Sequence, residues 1–248
     1  PDRNNQEHGI EDTGNLEQIK LYLPFSKIVF VPESFHKNLG KKERRYKGIH
    51  ELFYLHEKWF KPDNVKLNNI KQEVKSPVAI IRLISWKATH DKNERNENRI
   101  DRIYPIIELL ERRGYQIIIS SESELPKKLA AYKNNFPPDY LHELLYYAQI
   151  SISEGGTTAT EAALLGTPSV LINPQAKHVG SHKLMHGKYQ IQYLFDDASD
   201  AVTTIHDLVN DPHAKEKHQE KLTKFTDDHI DCTSFLIDYI ENNNWKKD

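Results

Sequence analysis

The segment Ser151-Ile152-Ser153-Glu154-Gly155-Gly156-Thr157-Thr158-Ala159-Thr160-Glu161-Ala162-Ala163-Leu164-Leu165-Gly166-Thr167-Pro168-Ser169-Val170-Leu171-Ile172-Asn173-Pro174 decides the fold. Ile150-Ser151-Ile152 is a short strand that ends at Ser153, and two glycines follow. Thr157 to Leu165 has the composition of a helix, which Gly166 and Pro168 close. Ser169-Val170-Leu171-Ile172 then resumes as a strand. A strand, a helix of about ten residues and a second strand form a βαβ unit of a parallel sheet.

The flanking sequence repeats this alternation. Val78-Ala79-Ile80-Ile81-Arg82-Leu83-Ile84 is a continuous apolar run, the pattern of a strand buried on both faces. Ile100, Ile103, Ile106, Ile107, Leu109 and Leu110 recur at helical spacing, and Gly114 stands where that helix should stop. Tyr115 to Ile119 is a strand, Asp139 to Ala148 a helix after Pro137-Pro138, and Ile191 to Phe195 a strand. The tail from Ala198 is expected to be helical. The prediction is an α/β fold: a Rossmann-like, doubly wound parallel sheet of five strands between about Ser76 and Leu208. Before it, Lys27 to Val31 is a strand stopped by Pro32, the stretch to about Leu21 is polar and weakly periodic, and Glu33 to Lys75 has no clean period. Residues 1–75 are therefore expected to be the remnant of a first domain with a connector. Residues 76–248 are expected to form a nucleotide-binding domain with a helical tail.

Composition narrows the function classes. Thirty-four Lys and Arg against 36 Asp and Glu give a net charge of −2, which argues against a general nucleic-acid binder. No apolar run approaches the roughly 18 residues needed to span a bilayer. The single cysteine, Cys232, forbids an internal disulfide, and the first residues carry no signal pattern, so a cytoplasmic location is expected.

The turn after Ser153 lies at the carboxyl end of its strand, where open α/β sheets bind ligands. Gly155 and Gly156 admit close approach of a ligand and positive φ where required. The free N–H groups of the helix start, with the Ser153, Thr157 and Thr158 hydroxyls, suit a diphosphate. Glu161 lies one turn into the helix and leans back toward its N-terminus, where a carboxylate can accept from two ribose hydroxyls. Taken alone, the same residues also fit a plain turn and a glutamate that favours the helix dipole.

This segment resembles the nucleotide-binding motif in the C-terminal domain of GT-B-type enzymes, which include UDP-N-acetylglucosamine 2-epimerase and many glycosyltransferases. More closely, the chain is similar to the domain of unknown function 354 family. The matching pieces are Val31-Pro32-Glu33-Ser34-Phe35; Tyr46-Lys47-Gly48 with Glu51 and Tyr54-Leu55; and Arg82 through His90-Asp91. They continue in Ile119 to Pro126, His142 to Ala148 and the Glu161 segment. The resemblance implies the C-terminal half of a GT-B fold, a diphosphate at the small-residue turn and ribose at Glu161. It implies a nucleoside diphosphate sugar, of UDP type, as substrate, with no cofactor and no metal required. The activity it implies is that of a glycosyltransferase or sugar-nucleotide epimerase in surface polysaccharide synthesis, with an unknown acceptor. The alternative is a non-catalytic or partner-dependent nucleotide-binding module, with a homo-oligomer or a partner supplying the rest of the first domain.

His90 and Asp91, after the first strand of the main sheet, are the candidate acid–base pair; a solvated loop is the plain alternative. Arg82, inside an apolar strand, must pair with a carboxylate such as Glu122 or point into the cleft. His178 is a candidate substrate contact. His178, His182 and His186 are four residues apart, but Gly180 and Ser181 interrupt a shared helix face, so a zinc site is not expected. His142 and Tyr146-Tyr147 are expected to be structural.

Overall fold

The computed structural model describes residues 7–84 and 95–242. Its elements, in chain order, begin with β1 (Glu7–Ile10), α1 (Leu16–Tyr22), β2 (Ser26–Pro32), β3 (Glu43–Tyr46), α2 (Leu52–Leu55) and α3 (Asn64–Glu73). The main run follows: β4 (Val78–Leu83), α4 (Arg95–Arg112), β5 (Gln116–Ser121), α5 (Leu141–Tyr147), β6 (Ile150–Ser153), α6 (Gly156–Leu164) and β7 (Ser169–Ile172). It closes with α7 (Gly180–Leu184), β8 (Gln192–Phe195), α8 (Ala198–Asn210), α9 (Ala214–Asp227) and α10 (Cys232–Glu241).

Strands β4 to β8 form one parallel sheet in the order β5-β4-β6-β7-β8. This is the doubly wound order whose switch point falls between β4 and β6, so the turn after β6 sits where the sheet opens a crevice. Alternate residues of β4 enter opposite cores. Val78 and Ile80 pack with Leu144, Ala162 and Phe225 from α5, α6 and α9. Ala79, Ile81 and Leu83 pack with Ile103, Ile106 and Ile205 from α4 and α8. Burial on both faces is why this strand reads as an unbroken apolar run.

A second parallel sheet, β1-β2-β3, precedes it. Only β2 was expected; the stretch expected to be a weakly periodic leader and connector contains β1, α1, β3, α2 and α3. The helix starts are locally encoded: Asn15 accepts from the backbone N–H of Glu17, and Asp63 from that of Val65. The two sheets share a core, in which Phe30, Tyr46, Ile49 and Leu52 join residues from β4, α5 and α6. The tail helix α10 returns to the first sheet, where Phe235 and Tyr239 meet Phe30 edge-on at 6.1 and 5.0 Å between ring centroids.

Candidate functional site

Helix α6 begins directly after the β6 turn, and no side chain caps it. The first carbonyl it bonds is that of Gly155, which accepts from the Ala159 N–H at 3.1 Å, so the N–H groups of the first turn point outward into the crevice. Gly155 has φ −89°, so it is not there for a left-handed conformation. Space is the reason for both glycines. A Cβ on Gly155 would lie 3.2 Å from Ile84 Cγ2, and one on Gly156 would lie 2.6 Å from His182 Nε2. The Ser153 hydroxyl is engaged inside the turn, donating to the Gly155 carbonyl at 2.8 Å and accepting from its N–H at 3.0 Å. Of the two threonines, Thr157 is exposed and Thr158 buried.

Glu161 is 7% exposed and faces the first sheet's side of the crevice. Its Oε1 accepts from the Tyr54 hydroxyl at 3.0 Å and lies 3.1 Å from His142 Nε2, while Oε2 has no hydrogen bond among the described residues. The Tyr54 and His142 rings stack at 6.0 Å, and Phe60 meets His142 edge-on at 5.4 Å. Burial and the Glu161 carboxylate push the Tyr54 phenol above the ordinary tyrosine range, so it is a fixed donor. Two side chains thus fix the rotamer of Glu161 and leave one oxygen for a ligand.

The segment after β7 reaches this helix start. His182 packs over Gly156 and pairs through Nδ1 with Gln192 Oε1 at 2.9 Å; burial holds its pKa below the ordinary histidine value, so it is a neutral ring. In the same segment Gly180 lies against the first sheet's loop, so close that a Cβ would fall 1.8 Å from the Ser34 carbonyl oxygen. Partial burial and the charges of Lys37, Lys183 and His178 lower the pKa of His36. These residues come from the loop after β2 and from the segment after β7 that includes α7. A cavity of about 460 Å³ adjoins them, lined by Asn173, Lys177, Lys183, His186, Phe195 and Asp196. Asn173 ties it to the β6 turn by donating to the Glu154 carbonyl at 3.0 Å.

The remaining expected residues fall as follows. Arg82 pairs with Glu122, donating to Oε1 at 2.9 Å, and with the Ser120 hydroxyl at 2.8 Å. His178 is exposed on a short 3-10 turn. His182 and His186 turn to different partners, Gln192 Oε1 and the Gln192 carbonyl, and no cluster fit to hold a metal occurs among the described residues. His90 and Asp91 lie outside the described residues. The sequence reading gave no role to Tyr54, and it took His142 as structural; the signal available was that both fall within the matched family segments.

The profile of the family described as protein of unknown function (DUF354) matches residues 9–241. The chain belongs to that family. No curated protein matches this DUF354 chain. Among solved structures, a candidate UDP-N-acetylglucosamine 2-epimerase from Listeria monocytogenes is similar with a TM-score of 0.63 at 12% identity, over 98% of this chain and 69% of the other. The UDP-GlcNAc 2-epimerase of Methanocaldococcus jannaschii, in complex with UDP-GlcNAc and UDP, gives 0.53 at 14% identity, over 81% and 62%. Os79 of O. sativa, in complex with a trichothecene, gives 0.51 at 16%, over 83% and 50%. The DUF354 chain spans from half to about two thirds of the length of these structures. At such identities the likeness is one of fold, and the fold is GT-B-like. No helix among the described residues is long and apolar enough to cross a membrane.

Proposed function

We propose that this protein binds a nucleoside diphosphate sugar of UDP type in the crevice at the start of α6. The observation that carries the reading is the state of Glu161: buried, fixed at Oε1 by Tyr54 and His142, with Oε2 unbonded beside an uncapped helix start. An acceptor-only group held in this way suits ribose hydroxyls. The outward N–H groups of α6 suit the diphosphate. Ser153 and the two glycines then act by shaping the turn, while Thr157 offers its exposed hydroxyl.

The activity proposed is glycosyl transfer or sugar-nucleotide epimerisation in surface polysaccharide synthesis. In either reaction the bond between sugar C1 and the diphosphate oxygen weakens, and negative charge grows on the departing nucleoside diphosphate. Helix N–H groups aimed at that charge stabilise the transition state more than the ground state. His90 and Asp91 remain the proposed acid–base pair, and Arg82, Glu122 and His178 proposed substrate contacts.

Calorimetric titration with UDP, GDP, CMP and dTDP, beside Glu161→Ala, tests the reading. The expected result is binding of UDP, weakened at least tenfold in the variant. A folded wild-type chain that binds none of the four, or a variant that binds as well as wild type, overturns it.

A further inference from the structure

The start of α6 has a histidine set against it. His182, on α7, is only 8% exposed, and its ring meets the helix at Gly156, the first residue of α6. A Cβ on Gly156 would lie 2.6 Å from Nε2 but 3.1 Å from Cε1, so the Nε2 corner of the ring leads. Nε2 has no hydrogen-bond partner among the described residues, and it is not among the unpartnered atoms sealed from solvent. It therefore lies open beside the outward N–H groups of an uncapped helix, and the missing side chain of Gly156 leaves the approach clear.

The other ring nitrogen is held. Nδ1 donates to Gln192 Oε1 at 2.9 Å, from a strand residue that is fully buried. The other end of that amide, Nε2 of Gln192, is buried with no partner. A buried donor left unpaired costs stability, which marks the glutamine as kept for its bond to the ring. Its backbone carbonyl faces His186 Nδ1 at 3.1 Å, so one residue of β8 anchors the whole segment. The titratable groups on the elements around His182 are Lys183 and His186 on its own segment, Glu154 and Glu161 from the β6 turn and α6, and His36 and Lys37 beyond β2. Burial lowers its proton affinity and the Gln192 bond raises it by less, so the ring is neutral at pH 7.

We propose that His182 is a diphosphate-binding residue that takes up a proton from solvent as the nucleotide sugar binds, with Gln192 as its positioning residue. The inference rests on the nucleotide-sugar reading. In the free chain the bond to Oε1 keeps the one ring proton on Nδ1, so Nε2 presents a lone pair, which a phosphate oxygen repels. On binding, an N–H bond forms at Nε2 and a buffer acid is left as its conjugate base. Both ring nitrogens then donate, Nδ1 to Gln192 and Nε2 to a phosphate oxygen beside the helix N–H groups. Release of the ligand returns the proton.

The test is calorimetry with UDP-N-acetylglucosamine, whose two phosphates do not titrate near neutrality, in two buffers of different ionisation enthalpy. Wild type should bind with net proton uptake at pH 7, and its affinity should fall as pH rises from 6.5 to 8.5, by at most about tenfold per unit. His182→Asn should lose the uptake and the pH dependence, and should weaken binding roughly three- to thirtyfold at pH 7. Gln192→Glu sets a carboxylate at Nδ1 and charges the ring beforehand, so it should bind without uptake and without loss of affinity. Binding by wild type with no proton uptake, or the same uptake in His182→Asn, overturns the role of His182 while the nucleotide reading stands. So does a Gln192→Glu chain that is folded, by its melt, and takes up protons as wild type does. Failure of wild type to bind either UDP or UDP-N-acetylglucosamine defeats the nucleotide reading, and this inference with it.

Discussion

The Tyr54 hydroxyl donates to Glu161 Oε1 across 3.0 Å, joining residues 107 positions apart. One is on α2 beside the first sheet and the other is on α6 of the second, so the bond spans the crevice. It sets the carboxylate in place before any ligand arrives, which lowers the ordering cost of binding. His142, stacked on the same phenol, supports it from α5.

Tyr54→Phe removes that donor and leaves His142 alone on Oε1. A lost neutral-to-charged hydrogen bond is worth about 1.5 to 3 kcal/mol at most, part of which water recovers at a partly open site. UDP affinity should therefore fall roughly three- to thirtyfold, with a change in melting temperature of only a few degrees. Calorimetry and a thermal melt check both; unchanged affinity would mean that the carboxylate is held without Tyr54.

The close approach of Gly180 to Ser34 predicts a cost for any side chain there. The added methyl of Gly180→Ala meets a backbone carbonyl at 1.8 Å, so the β7 loop and the first sheet must move apart. Overpacking of this kind costs about 1 to 3 kcal/mol. Gly187→Ala, where a Cβ meets open space, is the control and should be neutral or slightly stabilising. Urea melts of the two variants give the comparison.

The pH dependence of stability has two opposed sources. His218 is 4% exposed and donates from Nε2 to the Ala163 carbonyl at 2.8 Å; burial, the larger effect, lowers its pKa from 6.5 to about 4. The unfolded chain binds this proton first, so its stabilisation is complete above pH 6.5 and is lost as pH falls through about 4. Glu51 is raised from 4.5 to about 8 by burial, so its contribution is full below pH 4.5 and is lost as pH rises through 8. Melts from pH 4 to 9 should show His218→Gln flattening the acid limb and Glu51→Gln the alkaline limb. If each variant leaves its limb as steep as in wild type, the assignment fails.

These elements differ in how far the sequence revealed them. The sheet β4 to β8 was legible because Val78 to Ile81, Ile117 to Ile119 and Val170 to Ile172 are covered on both faces and must be apolar throughout. The strands β1 and β3 were not, since they are short edge strands carrying Glu7 and His8 in one case and Glu43, Arg44 and Arg45 in the other. Arg45 even spends its guanidinium on the Glu33, Phe35 and Lys37 carbonyls, a tertiary role that no periodicity announces. The α6 turn was readable as a local strand–glycine–helix pattern. The Tyr54, His142 and Glu51 environment was not, because it exists only once two sheets meet.

The lone thiol provides a probe of how firmly the tail helix holds the first sheet. Cys232 opens α10, is fully buried, and lies 2.3 Å from where a Cβ on Gly48 would stand; burial pushes its thiol up to about 12. Both effects suppress the reactive thiolate, so iodoacetamide at pH 8 should modify the folded chain only through opening of α10. Asp231 restrains that opening by capping the helix at the Ser234 N–H and accepting from Trp59 Nε1 at 2.8 Å. Trp59→Phe deletes the second bond, worth on the order of 1 kcal/mol, so the opening equilibrium and the alkylation rate should rise roughly fivefold. A rate that is fast in wild type, or one indifferent to Trp59, would mean that α10 is not docked on Gly48 and the first sheet as described.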